Sequence, residues 1–349
     1  MRFPTVSSPH HTPAKSVSRV MGAVMLALLP GTAAATWYFG WGVLINVVLA
    51  AGFAVALEAA MLALRGRPLR PFLTDGSAVL TAWLFALALP PLTEWWITLI
   101  GIVFAIVIAK QLYGGLGHNP FNPAMVGYVV VLVSFPREMT LWLPPEMLAE
   151  TRFDFLQALT VVFTGSLPGG LSWDAITMAT PLDLMKTELS LNRTIEEIRQ
   201  SPLFGDFSGQ GWEWIANWYA IGGFWLLFRR TIAWQIPVAM LGSLFAIATL
   251  FYWMDPDAHA GPLFHVFSGG AIIGAFFIAT DPVSAATTPR GRLIYGAGIG
   301  VLTYVIRTWG GYPDGIAFAV LLMNMAAPTI DYYTRPRVFG EERHPPGQD

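Results

Sequence analysis

About ten apolar segments, each near the length that crosses a bilayer, constrain this chain more than any other feature. A helix rises 1.5 Å per residue, so about 20 apolar residues span a hydrocarbon core of roughly 30 Å. That ruler puts spans near residues 21–39, 42–64, 77–93, 95–112, 122–135, 212–228, 233–253, 263–280, 293–309 and 315–330. In lipid every backbone N–H and C=O must be satisfied within the protein, which favours helices over open sheets. Composition agrees: 54% of the 349 residues are hydrophobic and 12% charged, roughly half the charge of a soluble domain. The expected fold is an all-α integral membrane protein of about ten transmembrane helices, with one long polar segment, 136–210, between spans five and six.

Basic residues set the expected orientation, because Lys and Arg in short loops stay on the cytoplasmic side. With the N-terminus inside, fourteen fall on inner segments, from Arg2, Lys15 and Arg19 through Lys110 to Arg343, and the short outer loops hold only Arg307. Both termini are therefore expected on the cytoplasmic side, with segment 136–210 outside, the periplasmic face if the membrane is the inner membrane of a Gram-negative bacterium. The first nineteen residues read as a retained tail, since no cleavage site follows them. Segment 136–210 carries ten acidic and five basic residues; it is expected to form a folded hairpin or helical cap, with a short helix near 193–199.

Ten spans divide into five and five, and an odd number per half makes the halves inverted across the membrane. The expected organisation is an N-terminal five-helix half (1–135), the outer segment (136–210), a C-terminal five-helix half (211–334) and a cytoplasmic tail (335–349). One echo supports the repeat: Gly114-Gly-Leu-Gly-His118-Asn-Pro precedes span five, and Gly310-Gly-Tyr-Pro-Asp314-Gly precedes span ten. Asp75-Gly-Ser-Ala and Asp281-Pro-Val-Ser look alike, but both aspartates fall on the inner side, so they are not repeat partners. Helix-breaking residues predict broken or re-entrant half-helices near 114–124 and 281–289, where irregular backbone must line a cavity.

A net charge of −2, with basic residues dispersed at span ends, excludes nucleic acid as a partner. The absence of cysteine removes thiolate-held clusters and cysteine nucleophiles, and no two of the six histidines have the spacing of a haem or zinc clamp. Any electrons must then travel on an organic cofactor. Glu58 interrupts span two, where a charge costs at least about 2.5 kcal/mol. It is either tied to a neighbour such as Asn46 or part of an ion path, with Asp75, His118 and Asp281 as further path candidates near the inner interface. Asn324 reads as a helix–helix hydrogen bond, Arg307 as a snorkelling side chain, and tryptophans such as Trp95, Trp96, Trp212, Trp214 and Trp309 as an aromatic belt.

One stretch of the polar segment stands out: Asp174-Ala-Ile-Thr177-Met-Ala179-Thr180-Pro181. It reads as an ordinary loop, or as an accessible hydroxyl with small neighbours and a turn-forming proline. In the second sense it resembles the acceptor motif for covalent flavin. With Ser7-Ser-Pro-His10, Gly117-His118-Asn-Pro120-Phe-Asn122-Pro-Ala and Thr280-Asp281-Pro282, it makes the chain similar over nearly its full length to the family of Rnf (Rsx) D subunits and sodium-pumping NADH:quinone reductase B subunits. Glycine is usual in that family where Met178 stands.

The resemblance implies an electron-transport role within an ion-translocating oxidoreductase. Thr180 would carry flavin mononucleotide (FMN) through a phosphodiester, Asp174, Thr177 and Ala179 would complete the attachment motif, and other subunits and a flavin transferase would be the partners. Electrons would pass between NADH-side and ferredoxin-side partners, coupled to transport of Na+ or H+. No glycine-rich dinucleotide fingerprint is present, so other subunits would handle NADH. A different class remains open: a passive channel or secondary transporter with a urea-channel-like fold and no redox cofactor.

Overall fold

The computed structural model describes residues 16–336, and the named elements among them are all helices. Residues 1–15 of the tail, with the Ser7 to His10 start, and the basic residues Arg2, Lys15, Arg337 and Arg343 lie outside them, whereas Val17 to Arg19 of the tail belong to the first helix. In chain order the helices are α1 (Val17–Phe39), α2 (Gly42–Leu64), α3 (Leu69–Leu73), α4 (Ser77–Ala86), α5 (Trp95–Ile102), α6 (Pro123–Ser134), α7 (Phe155–Thr164), α8 (Trp173–Ile176), α9 (Pro181–Ser190), α10 (Ile195–Ile198), α11 (Trp212–Phe228), α12 (Gln235–Met254), α13 (Pro262–Phe267), α14 (Ala271–Ile273), α15 (Pro289–Trp309) and α16 (Ile316–Thr334). Two continue in π-helical form, α5 over Val103–Gln111 and α14 over Gly274–Ile278.

Among the described residues four helices, α1, α2, α12 and α16, are long and apolar enough to cross a membrane, and shorter apolar helices lie in the expected spans 77–93, 95–112 and 122–135. Their starts follow from sequence. Asn122, Thr180 and Thr288 each accept a hydrogen bond from the backbone N–H three residues on, and each is followed by a proline at the first helical position. Proline loses nothing there, because that N–H has no partner inside the helix.

The helices pair in the same way in both halves. α2 packs on α4 and on α5 with its π-helical extension, as α12 packs on the α13–α14 pair and on α15; α6 lies against α5, as α16 lies against α15. Across the middle, α1 meets α11 and α6 meets α16. The α1–α11 crossing is close because small residues face it: a β-carbon on Gly31 would overlap the Tyr219 ring, and one on Gly222 would overlap the Ala27 carbonyl. Without a hydrophobic drive between helices in lipid, such close backbone approach supplies the packing.

Two expectations change. The helices break at Thr74–Gly76, between α3 and α4, and at Ser268–Gly270, between α13 and α14, while 114–122 and 281–288 are connections between whole helices. Left-handed glycines, Gly76 at φ +81° and Gly269 at φ +58°, turn the chain into α4 and α14. Span three also ends early: α4 stops at Ala86, and residues 87–94 run as turns through Pro90 and Pro91.

Segment 136–210 is helical, as expected, and α10 falls where the short helix was read. It is not a detached cap. α7 buries Ala158, Val161 and Val162 against Ile45 of α2 and Leu92, and α9 and α10 bury Leu182, Met185, Ile195 and Ile198 against Phe264 of α13.

Candidate functional site

Thr180 sits at the start of a ten-residue helix. Its Oγ accepts from the Asp183 N–H at 3.2 Å, so the hydroxyl is an N-cap. The flanking chain is ordered. α8 runs from Trp173 through Asp174 to Ile176, the Thr177 hydroxyl donates to the Trp173 carbonyl at 2.8 Å, and the Met178 N–H donates to the Trp142 carbonyl at 2.9 Å. Asp174 is exposed, while Thr177, Ala179 and Thr180 are half-buried. Pro181, read from sequence as a turn former on a flexible stretch, is instead the first residue of α9.

α9 is fastened to the membrane bundle by its own lysine. Lys186 Nζ donates to the carbonyls of Arg307 (3.2 Å), Gly310 and Tyr312 (3.0 Å), with that of Ile306 at 3.5 Å, and so ties α9 to the C-terminal end of α15 and the loop beyond. A cation at a helix C-terminus is favoured by the helix dipole. Burial pulls the Lys186 ammonium below its ordinary value, with the Asp183 charge opposing; burial likewise pushes the Asp183 carboxyl up, with Lys186 opposing.

Next to this contact lies the break between α13 and α14. Arg307, buried at 4% exposure, donates to the carbonyls of His265 and Ser268 and to Asp314 Oδ1, while Asp314 Oδ2 accepts from the Gly270 N–H at 2.7 Å. Arg307 therefore does not snorkel, because the broken helix leaves carbonyls inside the protein that its guanidinium satisfies. A β-carbon on Gly269 would strike both Asp314 and Leu182 of α9, so the helix that starts at Thr180 rests on the break itself.

A second polar cluster lies in the first half. Glu58 Oε1 meets Lys110 Nζ at 2.6 Å and accepts from Gln111 Nε2 at 2.7 Å; Lys110 also donates to Ser77 Oγ at 2.7 Å, and Ser77 donates to Asp75 Oδ1 at 2.6 Å. Glu58 and Lys110 are each 2% exposed. Two acceptors there, Glu58 Oε2 and Gln111 Oε1, have no partner among the described residues. Glu58 is thus tied, but to Lys110 and Gln111; Asn46 instead donates to the Pro90 and Pro91 carbonyls. Lys110, counted from sequence as an inner-surface charge, is buried.

Lys110 and Ser77 open onto a cavity of about 340 Å³ between the halves, lined as well by Asn119, Asn122, Thr280 and Asp281. Three of the four ion-path candidates therefore gather around one space: Glu58 and Asp75 through Lys110 and Ser77, and Asp281 on its wall. Ser284 Oγ donates to Asp281 Oδ2 at 2.8 Å. His118 is exposed and lies outside the cluster. Asn324 makes the helix–helix bonds expected of it, donating to Tyr295 Oη and the Ser284 carbonyl and accepting from the Asn122 N–H.

These features define a class: a multi-pass helical membrane protein built from two similarly packed halves, each with a broken helix held by a buried cation. The chain belongs to the NQR2, RnfD, RnfE family, whose model matches residues 4–340. It is 52% identical to the D subunit of the ion-translocating oxidoreductase complex of Aliivibrio salmonicida, over 98% of this chain and 100% of that one. It is 53% identical to the protein of that name from Aeromonas hydrophila (98% and 99%) and 51% identical to that from Citrobacter koseri (97% and 99%).

Proposed function

We propose that this chain is the D-type membrane subunit of an ion-translocating oxidoreductase complex in a bacterial inner membrane, and that Thr180 carries FMN through a phosphodiester. The observation that carries the reading is the Thr180 hydroxyl at the N-terminus of α9. A phosphate esterified there would lie at the N-terminus of α9, where the helix dipole favours an anion. The esterified oxygen keeps lone pairs toward the Asp183 N–H, so attachment need not unravel the helix. The residues present fit the group.

In this reading a bound flavin would supply electron-transfer chemistry, and the chain would supply position and electrostatics. Lys186 would hold the attachment helix at fixed depth, and the α7 and α9 contacts would keep segment 136–210 on the periplasmic face. The polar cluster of Glu58, Lys110, Ser77 and Asp75, with Asp281 across the cavity, would form part of the path for Na+ or H+. Electron-donating and electron-accepting subunits, and the transferase that attaches the flavin, are the partners this requires.

Co-expressed with a flavin transferase, the protein should give a fluorescent band on a denaturing gel. Thr180→Val should abolish the band and Thr177→Val should retain it. A colourless wild-type protein would favour a passive channel or secondary transporter, and a band surviving Thr180→Val would move the attachment elsewhere.

A further inference from the structure

We propose, building on Thr180 as the attachment point, that Trp142 and Trp212, backed by Phe39, form the stacking platform for the isoalloxazine ring of the tethered flavin. Three rings make up the cluster. The two indoles have centroids 4.9 Å apart at 55°, and Phe39 lies 4.7 Å from Trp212 and 5.9 Å from Trp142. Phe39 is buried as the last residue of α1, Trp212 opens α11, and both indoles are half-buried. The cluster thus closes the end of the α1–α11 crossing that faces segment 136–210.

Both indole residues are fixed to the chain flanking Thr180. On one side, the Met178 N–H is bonded to the Trp142 carbonyl. On the other, a β-carbon on Gly209 would overlap the Pro181 ring and stand 2.9 Å from Trp212 Cδ1, so the proline next to Thr180 and the tryptophan share one contact surface.

Neither the Trp142 nor the Trp212 indole N–H is bonded among the described residues, and neither is buried without a partner, so both stay open to an acceptor from a ligand. A flavin ring brings a broad π face, which stacks on aromatic side chains as nucleobases do, and edge carbonyls that accept from N–H donors. Trp212, read from sequence as part of the aromatic belt, is instead half-buried in this cluster, whereas Trp214 of that belt is 53% exposed.

The test compares covalently loaded wild type with Trp142→Leu, Trp212→Leu and the Trp142→Phe, Trp212→Phe double variant in detergent. The gel band reports attachment separately from ring placement. Stacking on indole should quench native flavin emission, so each leucine variant should keep its band, gain emission several-fold and lose visible circular dichroism in the flavin bands. The double phenylalanine variant should regain the dichroism while staying bright, because phenyl rings stack but quench poorly. Trp142 takes no part in the main apolar core, so Trp142→Leu should fold even if Trp212→Leu does not. Loaded leucine variants with wild-type emission and dichroism would overturn the platform alone. An unloaded wild type would overturn the attachment reading and the platform with it.

Discussion

Among the described residues the two halves each bury one cation, Lys110 near the end of the π-helical continuation of α5 and Arg307 near the end of α15, and the cations differ in kind. Arg307 reaches across to the break at Ser268–Gly270, where its planar fork meets two carbonyls and Asp314. Lys110 reaches the start of α4 at Ser77, but its main partner is Glu58, a carboxylate within an apolar helix. A guanidinium presents a rigid, planar fork of donors, whereas an ammonium is a compact charge with rotatable donors on a flexible stem. The first site is a fixed staple. The second, with unpaired acceptors and a cavity beside it, is suited to change partners.

The largest effect is expected at the staple. Arg307→Met leaves Asp314 and two carbonyls uncompensated and should cost about 3–5 kcal/mol, seen as a lowered melting temperature in detergent or loss of folded protein. Arg307→Lys should recover only part of it; full recovery would erase the distinction between the sites. Lys110→Met should cost less, about 1–3 kcal/mol, because Glu58 keeps the Gln111 amide as a donor. Combined with Glu58→Gln, it should lose less than the sum of the single changes, a coupling of at least about 0.5 kcal/mol in a double-mutant thermal analysis.

Function sharpens the same comparison. Glu58→Gln should lower ion transport in vesicles while the fluorescent band persists; unchanged transport would return the pair to a structural role. The smallest stability effect belongs to Lys186→Met, about 1 kcal/mol, since that ammonium is half-buried. It should appear as faster proteolysis within segment 136–210 with little change in the bundle.

The long apolar spans were legible because periodicity hardly matters when the solvent is lipid: length and hydropathy suffice, as at α2 and α12. The helix breaks were not. Ser268-Gly269-Gly270 lies inside an apolar run that reads as continuous, while the conspicuous glycines and prolines of 114–124 turned out to join whole helices. The true counterpart of Asp75-Gly76-Ser77-Ala78 is Ser268-Gly269-Gly270-Ala271, matched by left-handed glycines rather than by the aspartate that drew attention to Asp281. The partner of Glu58 was hidden for a different reason. It lies 52 positions away, and a lysine near a span end looks like an ordinary topological marker. At Thr180 the sequence showed a motif like a flavin acceptor, but the Thr-Pro pair is also a helix-start signal that the motif reading passed over.

The π-helical stretch Val103–Gln111 has a consequence for how the lysine site can arise. A π-helix is an α-helix carrying surplus residues in its turns, and each residue gained or lost rotates everything downstream by about 100° around the axis. Adjacent Lys110 and Gln111 both face Glu58 in this wound register. Their inward direction is thus a matter of residue count as much as residue type: a lineage that dropped one codon anywhere in 103–109 would keep every polar side chain and yet swing the pair out of reach of its carboxylate.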